Sequence, residues 1–92
     1  MTHKEFQRLA LKHGANRFLE FKNSQRKKIT RVRFTSDYVE MWVHFSEDKV
    51  KSVLFQASGL TNAAFPLDKV VELRDVCNSV IALVEEVGFG EA

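Results

Sequence analysis

The stretch "VEMWVHF", residues 39–45, alternates without a break: Val39, Met41, Val43 and Phe45 fall on one side, Glu40, Trp42 and His44 on the other. Period-two alternation describes a strand with one face against a core, and a slip of one residue would bury Glu40 and His44. This strand anchors the reading of its neighbours. Upstream, Ile29 to Ser36 has the same rhythm, with Thr30, Val32 and Phe34 against Ile29, Arg31 and Arg33, so the two arginines share a face. A turn at Ser36-Asp37 joins the two strands, and "SEDK" leads on to Val50–Ala57. In that last strand Val50 and Leu54 stand against Lys51, Val53, Phe55 and Ala57, and the alternation does not choose the inward side. Before the pair, Asn16 to Asn23, "NRFLEFKN", reads as a strand with Leu19 and Phe21 on one side and Phe18, Glu20 and Lys22 on the other. Links this short require antiparallel neighbours, because parallel ones need crossovers of about a dozen residues.

Helices flank the four strands. Thr2 and Glu5 have the spacing of a capping box; Phe6, Leu9, Ala10 and His13 then share one helical face, and Gly14 supplies a stop. Past the loop "SGLTNAAFP", Asp68 is positioned as an N-cap, and Val70, Leu73, Cys77, Val80, Ile81 and Val84 form a helical stripe that ends at Gly88. The order is α-β-β-β-β-α. It predicts an α+β fold, a four-stranded antiparallel meander with an N-terminal and a C-terminal helix, in one domain over residues 1–92.

Charge is distributed unevenly. Residues 1–46 hold ten Lys/Arg against four Asp/Glu (+6), and residues 47–92 hold four against eight (−4), which together make the net +2. A field of one sign over half a small protein steers polyanions. The densest stretch is "KNSQRKKITRVRF", residues 22–34, with six basic side chains and no acidic one. With the helices placed over Leu19, Phe21, Val32, Phe34, Met41, Val43 and Phe45, the opposite face is expected to show Phe18, Lys22, Arg31, Arg33, Trp42 and His44. Rings interleaved with cations suit single-stranded nucleic acid, where stacking of a base contributes about 1–3 kcal/mol and the cations neutralise phosphate. They suit a protein interface equally. The competing reading pairs Arg31 and Arg33 with Glu20 and Glu40 across strands and leaves Arg26-Lys27-Lys28 as a solvated turn. Whether Arg8, Lys12 and Arg17 extend the patch depends on how the first helix docks. The candidate binding residues are therefore Lys22, Arg26, Lys27, Lys28, Arg31, Arg33 and Trp42.

Other chemistries find little support. The four glycines stand apart at 14, 59, 88 and 90, so no loop cradles phosphate. His3, His13, His44 and Cys77 lack zinc-site spacing, and no cofactor is expected. No catalytic residue is assigned, and an enzyme is not expected. A single cysteine excludes an internal disulfide, and among Val76, Val80 and Ile81 it reads as a small core residue. No apolar run approaches the roughly twenty residues of a membrane span, and the opening has no signal-peptide core, so an intracellular protein is expected.

Over its whole length the chain resembles the small phage-encoded anti-CRISPR proteins that act on the type I-F Csy surveillance complex. The resemblance lies in total length, in the opening "MTHKEFQRLALKHG" and in the basic-then-acidic layout. It implies a non-catalytic inhibitor in the cytoplasm of a bacterial host. Such a protein binds the crRNA-guided ribonucleoprotein, contacts its backbone subunits and guide RNA, and prevents hybridisation with target DNA. Many such inhibitors are acidic mimics of DNA; the basic half of this chain departs from that pattern and fits contact with RNA or an acidic protein surface. Residues Phe18 to Val87, four strands followed by "FPLDKVVELRDVCNSVIALVEEV", are similar in order to the single-stranded-DNA-binding transcriptional coactivator fold, which implies a strand-binding module. The N-terminal helix departs from it.

Overall fold

Thr2 caps the first helix: its hydroxyl accepts the Glu5 backbone N–H at 3.1 Å, the contact its spacing predicts. Helix α1 runs His3–Lys12, and Gly14, at φ 105°, supplies the left-handed turn into the sheet. Strands β1 (Arg17–Lys22), β2 (Lys28–Thr35), β3 (Val39–Ser46) and β4 (Lys49–Ala57) follow, and α2 spans Leu67–Val87. The computed structural model describes residues 1–37, 39–57 and 67–89. The loop expected over 58–66 lies outside them. The four strands form one antiparallel meander in the order β1-β2-β3-β4, the α+β architecture expected. Asp68 is not the cap of α2, because the helix already includes Leu67; its carboxylate lies in the first turn, where it complements the helix dipole.

One face of the sheet carries the core. Phe6 and Ala10 of α1 and Val80 and Leu83 of α2 meet Val32, Phe34, Val43, Phe45 and Val50, every one of them buried. Phe6 lies flat on Phe45, ring centroids 4.3 Å apart and planes 7° from parallel. His3 meets Phe45 edge-on, and its Nδ1 lies 2.7 Å from the hydroxyl of Thr30, a fully buried polar group that needs such a partner. Glu86 of α2 receives His13 at 2.9 Å and Lys12 at 4.0 Å, which ties the two helices side by side over the same face. Helix α2 crosses the sheet obliquely. Asp75, Val76 and Ser79 lie by Phe34 and Thr35 at the end of β2, and at the other end of the helix the carbonyl of Gly88 accepts the Val50 backbone N–H on the outer side of β4 at 3.1 Å. Its core stripe is Val76, Val80, Leu83, Val84 and Val87. Val70 and Ile81, expected in that stripe, are exposed, and Cys77 is half-buried. The helix is polar along one side, through Asp68, Glu72, Asp75, Ser79 and Glu86, but its apolar arc is wider than the strip the sheet covers, so periodicity alone does not set which part of that arc is buried.

Two details set the register. Glu47 and Asp48, at φ 52° and 67°, form a two-residue turn in which both central residues are left-handed, the geometry whose twist matches the β3–β4 strands. One turn later the pairing passes from Phe45↔Val50 to His44↔Ser52, so Lys51 is an extra residue. This bulge is why β4 shows no clean alternation: Val50 lies on the helix side of the sheet, and so do Val53 and Phe55, three and five positions on. Replacing Glu47-Asp48 by Asn-Gly is expected to raise stability by about 0.5–1 kcal/mol, since the exposed ion pairs lost there contribute little. Urea denaturation checks it, and a fall in the midpoint would contradict the turn assignment.

Candidate nucleic-acid interface on the open face of the sheet

Both helices lie on one face, and no described element covers the other. Pairing across the strands arranges it in rows: Arg17, Arg33, Trp42 and Leu54 in one, Leu19, Arg31, His44 and Ser52 in the next, and Phe21 beside Ile29 in a third. The faces of β1 are opposite to expectation. Phe18↔Val32 and Glu20↔Thr30 put Phe18, Glu20 and Lys22 on the helix side, whereas Leu19 and Phe21 join the arginines. The reason lies in β1 itself, an edge strand with apolar residues on both sides and every side chain exposed; its orientation comes from pairing with β2, not from its own pattern.

Each arginine of β2 rests on a ring. The Arg31 guanidinium lies 5.0 Å from the Phe21 ring centroid and that of Arg33 5.8 Å from Trp42. A guanidinium on an aromatic face keeps its N–H edge free for an acceptor, and the stacking limits its rotamers before any ligand arrives. Arg33 is partly committed: its Nε donates to the Asn16 side chain at 3.2 Å, and Glu40 lies 3.9 Å from Nη1. Glu40 also accepts from Trp42 Nε1 at 2.8 Å. Arg31 and Arg17, by contrast, have no carboxylate partner among the described residues. The cross-strand pairing expected with Glu40 is therefore present for Arg33 alone. Glu20 sits on the helix side, bonded to Gln7 and 3.7 Å from Lys28.

The remaining candidates separate from this face. Lys22 and Lys28 are opposite one another at the hairpin end, on the helix side. Lys27 contacts Glu47, which also lies 3.5 Å from Lys51. Arg26 stands in an ordered turn at φ 61°, held by the Asn23 side chain, which accepts from Gln25 N and Lys27 N at 2.9 and 3.0 Å. These four make a basic rim at one end of the sheet. Of the α1 and β1 cations left open by the sequence, Arg8 and Lys12 lie on α1, behind the sheet, and Arg17 joins the open face. The contribution of Leu19, Phe21 and Leu54 was hidden in the sequence. Register pairing with Arg31 and Trp42 is the signal that places them.

His44, directly opposite Arg31, has its pKa held below the ordinary 6.5, first by burial and then by the arginine charge. The open face thus carries a neutral imidazole beside the Arg31 cation at neutral pH. No three His, Cys, Asp or Glu side chains converge as a metal site among the described residues, and none of the described helices is long and apolar enough to cross a membrane. No family model matches the chain, and no curated protein or solved structure matches it.

The histidines make a pH prediction. His3 is also held below 6.5, by burial and then by Lys28. The folded state therefore binds fewer protons than the unfolded one in the window just below 6.5, and stability falls as pH drops from about 7.5 through 6.5 toward the folded pKa values. His44→Gln is expected to flatten the decline in melting temperature between pH 7.5 and 5.5. An unchanged slope would contradict the placement of His44.

Proposed function

We propose that this protein is a non-catalytic binder that holds a single-stranded nucleic-acid segment on the open face of its sheet. We further propose that the segment belongs to a crRNA-guided ribonucleoprotein, the type I-F Csy complex, and that occupancy blocks hybridisation with target DNA in the bacterial cytoplasm. The observation that carries the reading is the pair of arginines without carboxylate partners among the described residues, Arg17 and Arg31, set among Phe21, Trp42 and Leu19 on a face that neither helix covers. Phosphates take the free guanidinium edges, bases take the rings, and the basic rim at Lys22, Arg26, Lys27 and Lys28 extends the attractive field. The choice of ribonucleoprotein rests on the resemblance in the chain's opening and charge layout. Backbone subunits of the complex then add protein contacts.

A second reading, a module for free single strands, is favoured by the element order itself: four meander strands followed by one long helix. The two diverge in the partner that is captured. Tagged protein is expected to retain a crRNA-loaded Csy complex and abolish its target-DNA binding, with free RNA and free single-stranded DNA bound weakly. Capture of free strands and not of the complex would favour the module, and capture of neither would remove both readings.

The variant that isolates the surface is Arg17→Glu with Arg31→Glu, because Arg33 also supports Glu40 and Asn16. It is expected to weaken capture at least tenfold and to leave the thermal midpoint near wild type. For a free strand, the slope of log affinity against log salt should lose about 1.4, two phosphates at about 0.7 each. Undiminished binding by this variant would overturn the assignment of the face.

A further inference from the structure

We infer that the outer edge of β4 is a pairing edge for a second copy of this chain, joining two sheets antiparallel about a twofold axis at Leu54. The meander leaves two edges, β1 and β4, with unpaired backbone groups, and an edge is protected by charge or by cover. Strand β1 is protected by Arg17, Glu20 and Lys22 within six residues. The first part of β4 is protected too: Lys49 and Lys51 lie there, and Gly88 occupies the outward N–H of Val50, with Phe89 bridged beside it. From Ser52 to Gln56, "SVLFQ", the strand has no charge, and no described residue bonds its outer side. Val53, Leu54 and Phe55 are 37%, 51% and 44% exposed, on both faces of the sheet.

The segment is complementary to itself. An antiparallel copy centred on Leu54 sets Leu54 against its own counterpart on the open face. Val53 then meets the second Phe55 on the helix side, and Ser52 meets the second Gln56, polar against polar. Lys51 falls beside Ala57 of the other copy, so the lysines are kept apart; parallel pairing would set them together. The oblique course of α2 leaves Val53 and Phe55 uncovered on the helix side, and the contact is isologous and closed. Five paired residues make a small interface, so association in the micromolar range is expected. The joined sheets also bring the row Arg17-Arg33-Trp42-Leu54 up to its counterpart in the second copy, which, on the reading above, doubles the length of strand the open face holds.

The test uses the full chain without nucleic acid. Sedimentation velocity from low micromolar to millimolar protein is expected to show a monomer–dimer equilibrium, and Leu54→Lys to shift it to monomer with an unchanged melting temperature. In a Cys77→Ser background, Leu54→Cys is expected to form a disulfide dimer under mild oxidation at least tenfold faster than Ser52→Cys or Gln56→Cys, which do not face their own counterparts. A monomer at all concentrations overturns the inference, and so does a dimer that survives Leu54→Lys or cross-links equally at the three positions. Arg17→Glu with Arg31→Glu should dimerise like wild type, so loss of strand binding and loss of pairing are told apart.

Discussion

The flat contact between Phe6 and Phe45 is the constraint on which the rest of the molecule depends. It fixes α1 to the middle of the sheet, on the face that α2 also occupies through Val80 and Leu83. Glu86 then closes the helix layer by holding Lys12 and His13. With one apolar face shared by two helices, a chain of 92 residues has no further element among those described to place on the other. Removing the Phe45 ring would cost about 3–5 kcal/mol, a large share of the roughly 5–15 kcal/mol that holds such a domain together.

The face opposite the helices acquires its character from strand pairing. Arg31 and Arg33 are two residues apart on β2, and each finds a ring, one on β1 and one on β3. These contacts hold the guanidinium groups while leaving hydrogen-bonding edges free, so less side-chain entropy is lost when an anion binds. Glu40, one row beyond beside Thr35 and Gln56, is the one acid on this face among the described residues, and it is occupied by Trp42 and Arg33. The proposed role as a nucleic-acid binder follows from this imbalance of donors over acceptors, together with apolar surface that would otherwise stay wet.

Much of the fold was legible because the strongest signals were local. The Thr2 cap, the glycine stops at 14 and 88, and the alternation of β2 and β3 each depend on neighbours a few residues away. The site was legible in part: Arg31, Arg33 and Trp42 alternate with buried residues, so their common face could be read. Lys22 was misplaced because β1 is apolar on both sides and only pairing through the Asn23–Lys27 turn decides its orientation. Strand β4 was ambiguous because the bulge at Lys51 interrupts its period. The phase of α2 was obscured because its apolar arc is wider than the strip the sheet covers, and Val70 and Ile81, at one margin of that arc, turn outward. Each miss involves a choice made by a distant partner.

Trp42 is the only tryptophan in the chain and lies in the middle of the open face. Incorporating 5-fluorotryptophan and following its fluorine resonance while single-stranded RNA or the assembled Csy complex is added would report whether the partner occupies this face. A saturable shift or broadening that tracks binding, and that is lost in Arg17→Glu with Arg31→Glu, is the result this account requires. A resonance that stays unchanged while the partner is demonstrably bound would place the interface elsewhere and contradict it.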